Sequence, residues 1–159
     1  MGIVVSEDRL RDLVVEARSE GLTIAIANGC FDLLHVGHVR YLQGSAAEAD
    51  CLIVAVNADR SVRELKGNGR PLQLAAERAE MIAAFEVVDY VVVFSTPTVA
   101  ELLRSIRPDV HCKGTDYTVD TVPEREVVRA YGGRIAIVGD PKDHSTRDLL
   151  GRMGTPPSR

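Results

Sequence analysis

The stretch LTIAIANGCFDLLHVGHVRYL, residues 22–42, places a short apolar run directly before a polar turn and a helical pattern. Leu22 to Ala27 has the length and the apolar character of a buried β-strand. Asn28 to His38 contains two glycines, an aspartate and two histidines, and an amphipathic pattern then covers Gly37 to Ala49. A buried strand, a glycine-containing turn and a helix in this order are typical of one unit of a parallel α/β sheet.

The rest of the chain repeats this alternation of apolar runs and helical patterns. Four further runs predict strands: Cys51 to Val56, Tyr90 to Phe94, Asp109 to Cys112, and Arg134 to Val138. Helical patterns lie before and between them: a helix capped by Ser6 and ended by Gly21, then Gln73 to Phe85, Thr98 to Ile106, and Glu124 to Tyr131. Continuous apolar strands between helices indicate a sheet that is covered on both faces. The sequence therefore predicts an α/β fold, a doubly wound (Rossmann-like) five-stranded parallel sheet with helices on both faces.

Length and composition indicate one globular domain. The chain has 159 residues, of which 45% are hydrophobic and 26% charged, values that exclude disordered, collagenous, coiled-coil and membrane-spanning chains. We expect a single domain over residues 1–150. Residues 151–159, with two glycines and two prolines, are predicted to form a flexible tail.

The net charge, the cysteines and the first residues limit which classes of partner and which cellular compartment are expected. The net charge is 19 − 23 = −4, and no basic stripe is present, so we expect neither nucleic acid nor a membrane as a partner. Cys30, Cys51 and Cys112 form no CxxC pair, which indicates reduced thiols. Because the first residues contain no signal-peptide pattern, a cytoplasmic protein is predicted.

The segment His35-Val36-Gly37-His38 carries the strongest chemical signal. It lies where a helix begins after the first predicted strand, and a helix start offers free N–H groups that suit a phosphate. Gly37 would let a ligand approach the backbone closely. Two other interpretations stay open: a helix cap with a surface histidine, and a zinc site. No nearby Cys or Glu completes a zinc ligand set, so no metal-binding residue is assigned.

Several segments together resemble the cytidylyltransferase-like nucleotidyltransferases. The resemblance begins at Asn28 to Asp32 and His35 to His38 and covers about four fifths of the chain. It continues through Val56-Asn57-Ala58-Asp59, Leu65 to Pro71, Val88-Asp89, Lys113 to Tyr117, and Ser145-Thr146. Within this family, the Lys-Gly-x-Gly-Arg-Pro loop and the Lys-Gly-x-Asp-Tyr segment resemble the heptose 1-phosphate adenylyltransferase branch. Members of that branch are often fused to a kinase, and this chain resembles a stand-alone form.

The resemblance implies transfer of AMP from ATP to a sugar 1-phosphate, here a heptose 1-phosphate, by in-line attack without a covalent intermediate. It implies Mg²⁺ with ATP, and a homodimer. The implied catalytic residues are His35, His38 and Lys113. Nucleotide binding is implied for Asn28, Gly29, Phe31, Gly37, Ser145 and Thr146. Binding of the substrate or its phosphates is implied for Asp32, Lys66, Arg70, Gly114 and Asp116.

Other interpretations of these positions remain. Lys66 and Arg70 would also suit a solvated surface loop, Asp116 a turn cap, and Ser145-Thr146 a helix cap. Asp32 would also serve to hold the histidine segment in shape. Lys113, directly after an apolar strand, is expected to be exposed at the sheet edge. The alternative activity is cytidylyl transfer to glycerol phosphate or another polyol phosphate, and a different class is a nucleotide-binding sensor without turnover.

Two departures weigh against the cytidylyl branch. Cys30 stands where that branch usually carries a hydroxyl residue, and Asp140-Pro141-Lys142 stands where it carries an arginine. Arg147 stands where the heptose branch commonly has another threonine after the Ser-Thr pair. The resemblance is therefore closer for nucleotidyl transfer than for the identity of the sugar.

Overall fold

A computed structural model describes residues 1–141 and 144–154. The strands are β1 Ile3–Val5, β2 Ile24–Gly29, β3 Cys51–Asn57, β4 Tyr90–Phe94, β5 Val110–Lys113 and β6 Arg134–Ile137. The helices are α1 Glu7–Ser19, α2 Val36–Ala46, α3 Asp59–Lys66, α4 Ala75–Ala83, α5 Ala100–Ile106, α6 Arg125–Ala130 and α7 Thr146–Met153, with a 3₁₀ turn at Val119–Thr121. The predicted α/β alternation is confirmed.

The sheet is parallel throughout and has the strand order β1-β4-β3-β2-β5-β6. It has six strands, so the prediction of five was wrong by one. The additional strand, β1, has only three residues and pairs at the sheet edge, with Ile3 opposite Tyr90. Its residues are largely exposed, and so short a run carries no periodicity that a sequence can report.

Two more elements differ from the sequence prediction. Helix α3 was not predicted, because its sequence, DRSVRELK, is mostly polar. Helix α7 continues to Met153, so residues 151–153 are helical rather than part of a tail. Residues 155–159 of that predicted tail lie outside the described residues.

The sheet separates two apolar cores. Alternate residues of β2 point to opposite faces, so Ala25 and Ala27 pack with α2 and α4, whereas Ile24 and Ile26 pack with α1, α5 and α6. This arrangement confirms helices on both faces of a doubly wound sheet. None of the helices found in residues 1–141 and 144–154 is both long and apolar enough to cross a bilayer.

The strand order defines where a ligand can bind. Strand β2 lies between β3 and β5, and the chain winds outward in opposite directions from this point. In open parallel sheets the crevice beyond the carboxyl ends of strands at such a reversal is the usual ligand site. Gly29, Asn57 and Lys113, the last residues of β2, β3 and β5, all lie at this edge.

Candidate active site

A cavity of 1180 Å³ opens at the carboxyl edge of the sheet. Thirteen of the fourteen predicted site residues line it. These are Asn28, Gly29, Phe31, His35, Gly37, His38, Lys66, Arg70, Lys113, Gly114, Asp116, Ser145 and Thr146. Asp32 is absent from the lining. The roles assigned to these residues remain predictions, but the fold brings nearly all of them to one place.

Short-range hydrogen bonds hold the two histidines at the start of α2. His35 is the N-cap, and its Nδ1 accepts a hydrogen bond from the Gly37 N–H at 3.1 Å. His38 Nδ1 accepts from the His35 N–H at 3.3 Å. The centroids of the two imidazole rings are 3.9 Å apart. The helix cap and the paired histidines therefore occur together, so the two interpretations of this segment do not exclude each other.

These bonds also define the protonation of the rings. A nitrogen that accepts an N–H bond cannot carry a proton, so each neutral ring has its proton on Nε2. Burial, His35 and Lys66 lower the pKa of His38 to about 4. At neutral pH His38 is thus an uncharged hydrogen-bond donor.

Aromatic side chains pack against the turn that follows β2. Phe31 has φ 49°, a left-handed backbone that side chains rarely adopt, and its ring is buried against His38 and Tyr41 at centroid distances of 5.3 and 6.4 Å. The Tyr41 hydroxyl donates to the Cys112 carbonyl at 2.9 Å, and it accepts from the Asn28 N–H at 3.3 Å. These contacts join β2, α2 and β5 beneath the cavity.

Asp32 holds the loop that carries the cations. Its carboxylate accepts hydrogen bonds from Arg70 Nε and from the backbone N–H groups of Leu72 at 2.7 Å and Gln73 at 3.1 Å. Burial alone would raise the pKa of Asp32, but the bonds from Gln73, Arg70 and Leu72 outweigh it and the pKa lies below its ordinary value. The side chain is 1% exposed. The geometry therefore gives Asp32 a supporting place under the basic loop, and its predicted contact with substrate stays a prediction.

Arg78 is a buried residue of this site that sequence reasoning missed. It is fully buried, and its guanidinium donates to the Gln73 carbonyl, the Cys30 carbonyl and the Asp59 carboxylate at 3.0, 2.6 and 2.8 Å. It thereby ties α4 to the turn after β2 and to the start of α3. In the sequence Arg78 is one of several charges on a helix, and nothing local distinguishes it from solvated neighbours.

The expectation that Lys113 is exposed was wrong. Lys113 is the last residue of β5 and is 8% exposed, with its Nζ 4.6 Å from the centroid of the Tyr117 ring. The chain after β5 folds back over the lysine and covers it. Burial lowers the pKa of Lys113, and the charge of Glu124 acts in the opposite direction.

The start of α7 completes the cavity wall. Ser145 caps the helix, since its Oγ accepts from the Asp148 N–H at 3.1 Å, and the Thr146 hydroxyl donates to the Leu33 carbonyl at 3.2 Å. The helix cap predicted as an alternative role of this pair is thus present, and both residues still border the cavity. Lys142, one of the departures from the cytidylyl branch, lies outside the described residues.

Within the described ranges, no group of three or more His, Cys, Asp or Glu residues is arranged to hold a metal ion. All three cysteines are free, and Cys51 and Cys112 are buried in strands.

The chain is similar to known proteins. The model of the cytidylyltransferase-like family matches residues 26–148. The bifunctional protein HldE of Syntrophotalea carbinolica is 44% identical over 146 residues, which are 92% of this chain and 30% of that protein. The protein of the same name from Alcanivorax borkumensis is 45% identical over 150 residues, 94% of this chain and 32% of that one. The chain thus spans about a third of the length of these relatives.

A solved structure is also similar. The crystal structure of the lipopolysaccharide core biosynthesis protein from Thermoplasma volcanium superposes with a TM-score of 0.65 at 26% identity, covering 77% of this chain and 100% of that one.

Proposed function

The chain belongs to the cytidylyltransferase-like family of nucleotidyltransferases, and from this premise we propose that it transfers AMP from ATP to a sugar 1-phosphate. The products are an ADP-sugar and pyrophosphate. The acceptor that we propose is a heptose 1-phosphate.

One observation carries this proposal: two imidazole N–H donors and three cationic side chains border the same cavity. The donors are those of His35 and His38, and the cations are Lys66, Arg70 and Lys113. Donors that are held in place before the reaction stabilise charge that develops on phosphate oxygens without a cost of reorganisation. This local excess of positive charge, inside a chain of net charge −4, suits small phosphate ligands.

The chemistry needs little more than positioning. A sugar phosphate loses its second proton at a pKa of about 6, so its oxygen is already a nucleophile at neutral pH. That oxygen attacks the α-phosphorus of ATP in line, the bond to the bridging oxygen breaks, and pyrophosphate leaves with the electron pair. His38, uncharged at neutral pH, would donate a hydrogen bond to the phosphates rather than remove a proton.

The basic loop, residues 66–73, suits the leaving pyrophosphate or the acceptor phosphate. Asp32 accepts a hydrogen bond from Arg70 through Nε. Arg70 Nη2 is buried and has no hydrogen-bond partner in the part of the chain that the structure describes. A phosphate oxygen is the partner that a guanidinium of this kind prefers.

Mg²⁺ enters the proposal as part of the substrate. The described residues offer no dedicated cage for it, and Mg²⁺ is commonly bound through substrate phosphates with few protein ligands. We therefore treat Mg·ATP as the nucleotide substrate.

Two observations support a sugar phosphate acceptor. The Lys66 to Pro71 and Lys113 to Tyr117 segments resemble the heptose branch, and one structural relative is named for lipopolysaccharide core biosynthesis. With ATP as substrate, we also propose a cytoplasmic location. A homodimer is proposed from the family resemblance, and sedimentation equilibrium tests it directly.

The activity is tested by pyrophosphate release, with each nucleoside triphosphate set against a panel of sugar and polyol phosphates. We expect the highest kcat/KM with ATP and heptose 1-phosphate. Release with CTP and glycerol 3-phosphate, but not with ATP and heptose 1-phosphate, would overturn the proposed substrates in favour of cytidylyl transfer. Tight ATP binding with no release for any pair would favour a sensor.

A further inference from the structure

His111 is a fully buried polar residue that the proposed reaction does not use. It is the second residue of β5, and its register partners are Ile26 of β2 and Ile135 of β6. Because register partners in a parallel sheet point to the same face, the imidazole lies on the face that α1, α5 and α6 cover with apolar side chains. A polar ring is costly in such surroundings unless it is hydrogen-bonded, so the contacts of its two nitrogens require an explanation.

The two ring nitrogens of His111 differ in their surroundings, and this difference determines the tautomer. Nε2 lies 2.9 Å from Asn28 Oδ1, whereas Nδ1 is buried and has no hydrogen-bond partner among residues 1–141 and 144–154. A proton on Nδ1 would leave a buried donor unpaired and would set the lone pair of Nε2 against the carboxamide oxygen. A proton on Nε2 instead donates a hydrogen bond to that oxygen. Burial and the charge of Lys113 lower the pKa of His111 to about 3, so at neutral pH the ring is neutral.

This tautomer in turn determines the orientation of the Asn28 carboxamide. A carboxamide that rotates by half a turn exchanges its acceptor oxygen for its NH₂ group, and an N–H on His111 Nε2 tolerates only the oxygen. Within the described residues the Asn28 side chain is engaged through Oδ1, and the two N–H bonds of Nδ2 point away from His111. Asn28 borders the cavity, so these N–H bonds are available to a ligand there.

The backbone of Asn28 is held as well, because the Tyr41 hydroxyl lies 3.3 Å from its N–H and 3.4 Å from its carbonyl oxygen. An N–H donor that is fixed before the ligand binds costs no reorganisation on binding. Phosphate oxygens are acceptors only, and they are the groups that the cations of this cavity suit. We infer that His111 is a positioning residue that holds the Asn28 carboxamide so that its N–H bonds donate to a phosphate oxygen of a bound substrate.

This inference rests on the proposed function, in which both substrates carry phosphate. Three variants test it, and none of them changes the charge of the cavity. His111→Leu has a similar volume but no N–H, so it leaves the carboxamide free to rotate. His111→Gln is the conservative variant, since it ends in an N–H donor. Asn28→Ala removes the proposed ligand contact itself.

Isothermal titration calorimetry with Mg·ATP in one arm and mannose 1-phosphate in the other identifies which phosphate Asn28 contacts. We expect His111→Leu and Asn28→Ala to bind one of these ligands about tenfold more weakly than the wild type does, as for a lost hydrogen bond to a charged group. His111→Gln should recover most of that loss. If His111→Leu binds both ligands within about twofold of the wild type, the inference is wrong.

A double-mutant cycle shows whether His111 acts through Asn28. If it does, the double variant His111→Leu/Asn28→Ala binds the affected ligand as weakly as Asn28→Ala alone. Independent effects would multiply to about a hundredfold loss, and that result would overturn the inference.

Two controls separate this role from a general effect on the fold or on the nucleoside. Val110 is the preceding residue of β5 and is buried in the core on the opposite face, so Val110→Ala should lower the urea midpoint and leave both affinities unchanged. An equal loss of affinity in Val110→Ala and His111→Leu would return His111 to a purely structural role. Adenosine carries no phosphate, so a loss of adenosine binding in His111→Leu as large as that of Mg·ATP would refute the phosphate contact.

The wild-type chain supplies a test that needs no variant to fold. Long-range ¹H–¹⁵N correlation spectra at neutral pH should show His111 with its proton on Nε2, and the Asn28 NH₂ resonances should shift when the affected ligand is added. A proton on Nδ1, or NH₂ resonances that shift with neither ligand, would contradict the inference. Because none of these measurements needs turnover, absence of pyrophosphate release would count against the proposed function and not against the pairing of His111 with Asn28.

Discussion

The histidine turn, residues 28–38, and the basic loop, residues 66–73, reach the same cavity but are held in different ways. Within the turn, the bonds that orient His35 and His38 connect residues two or three positions apart. In the loop, the bonds from Arg70, Leu72 and Gln73 reach back to Asp32, 38 to 41 positions away.

The two regions therefore depend on different contacts for their conformations. The turn keeps its shape as long as α2 forms, because a helix start provides its own N–H donors. The loop keeps its shape only if the segment after β2 and the segment before α4 meet. Arg78 strengthens that meeting by binding the carbonyls of Cys30 and Gln73. We therefore expect damage to the turn to affect mainly activity, and damage to the loop's support to affect stability as well.

Replacing Asp32 tests this comparison with the largest expected effect. Asp32→Ala leaves the Arg70 guanidinium and two backbone N–H groups without their acceptor. Loss of one partner of a buried charge pair costs about 3–5 kcal/mol. The free energy of unfolding in urea should fall by that amount, and kcat/KM should fall about 100-fold because the loop loses its position.

Asp8→Ala is the control for this variant, because the Asp8 side chain is 95% exposed in its pair with Arg11. It should change the free energy of unfolding by less than about 0.5 kcal/mol. Equal stabilities for the Asp32 and Asp8 variants would contradict the supporting role of Asp32.

His38→Ala should show the opposite balance. Loss of a preorganised donor lowers kcat by about 10²–10³-fold, whereas loss of a capping interaction costs only about 1 kcal/mol of stability. Pyrophosphate release and urea denaturation of the same preparation measure both effects. A variant that keeps more than a tenth of the wild-type kcat would remove His38 from the proposed mechanism.

Gly37→Ala is a finer test of the turn. A Cβ on Gly37 would lie 2.9 Å from the His35 ring, which must then move away from the Gly37 N–H. Alanine is also the better helix former by about 1 kcal/mol, so stability should be retained while kcat/KM falls about tenfold.

Gly151→Ala, in α7, is the matched control for this substitution, because a Cβ there meets nothing within 4 Å. It should leave kcat/KM unchanged. Wild-type activity of the Gly37 variant would show that the position of the His35 ring is unimportant.

Lowering the pH should reduce the free energy of unfolding through the histidine turn but not through Asp32 and the basic loop. This is the smallest of the expected effects. The pKa of His38 is lowered to about 4, and that of buried His111 to about 3, so the unfolded chain takes up these protons first. Their contribution to stability is complete above pH 6.5 and is lost as the pH falls below it. Between pH 7 and pH 5.5 each should cost about 1 kcal/mol. Asp32, with a lowered pKa, stays charged over this range.

Urea denaturation at the two pH values measures this loss. His38→Gln should remove about half of the pH dependence and leave the part that belongs to His111. An unchanged dependence in this variant would contradict the partly buried, neutral state of His38.

The sequence predicted most of the fold but only part of the site's support. Apolar runs and helical patterns located five of the six strands, and the motif around His35 and His38 indicated the cavity. Strand β1 was not predicted because it is too short to show a pattern, and helix α3 was not predicted because it is too polar. The sequence did not indicate that Arg78 and Glu124 are buried near the site, because in the sequence each resembles an ordinary surface charge on a helix.

Taken by itself, the sequence determined the order of strands and helices and the local shape of the histidine turn. Both depend on residues within one strand or one helical turn of each other. Only the tertiary structure decided that Asp32 supports Arg70, that Lys113 is buried, and that Glu124 borders the cavity. These features depend on segments far apart in the chain meeting at one edge of the sheet, and that meeting is created by the crossovers between strands.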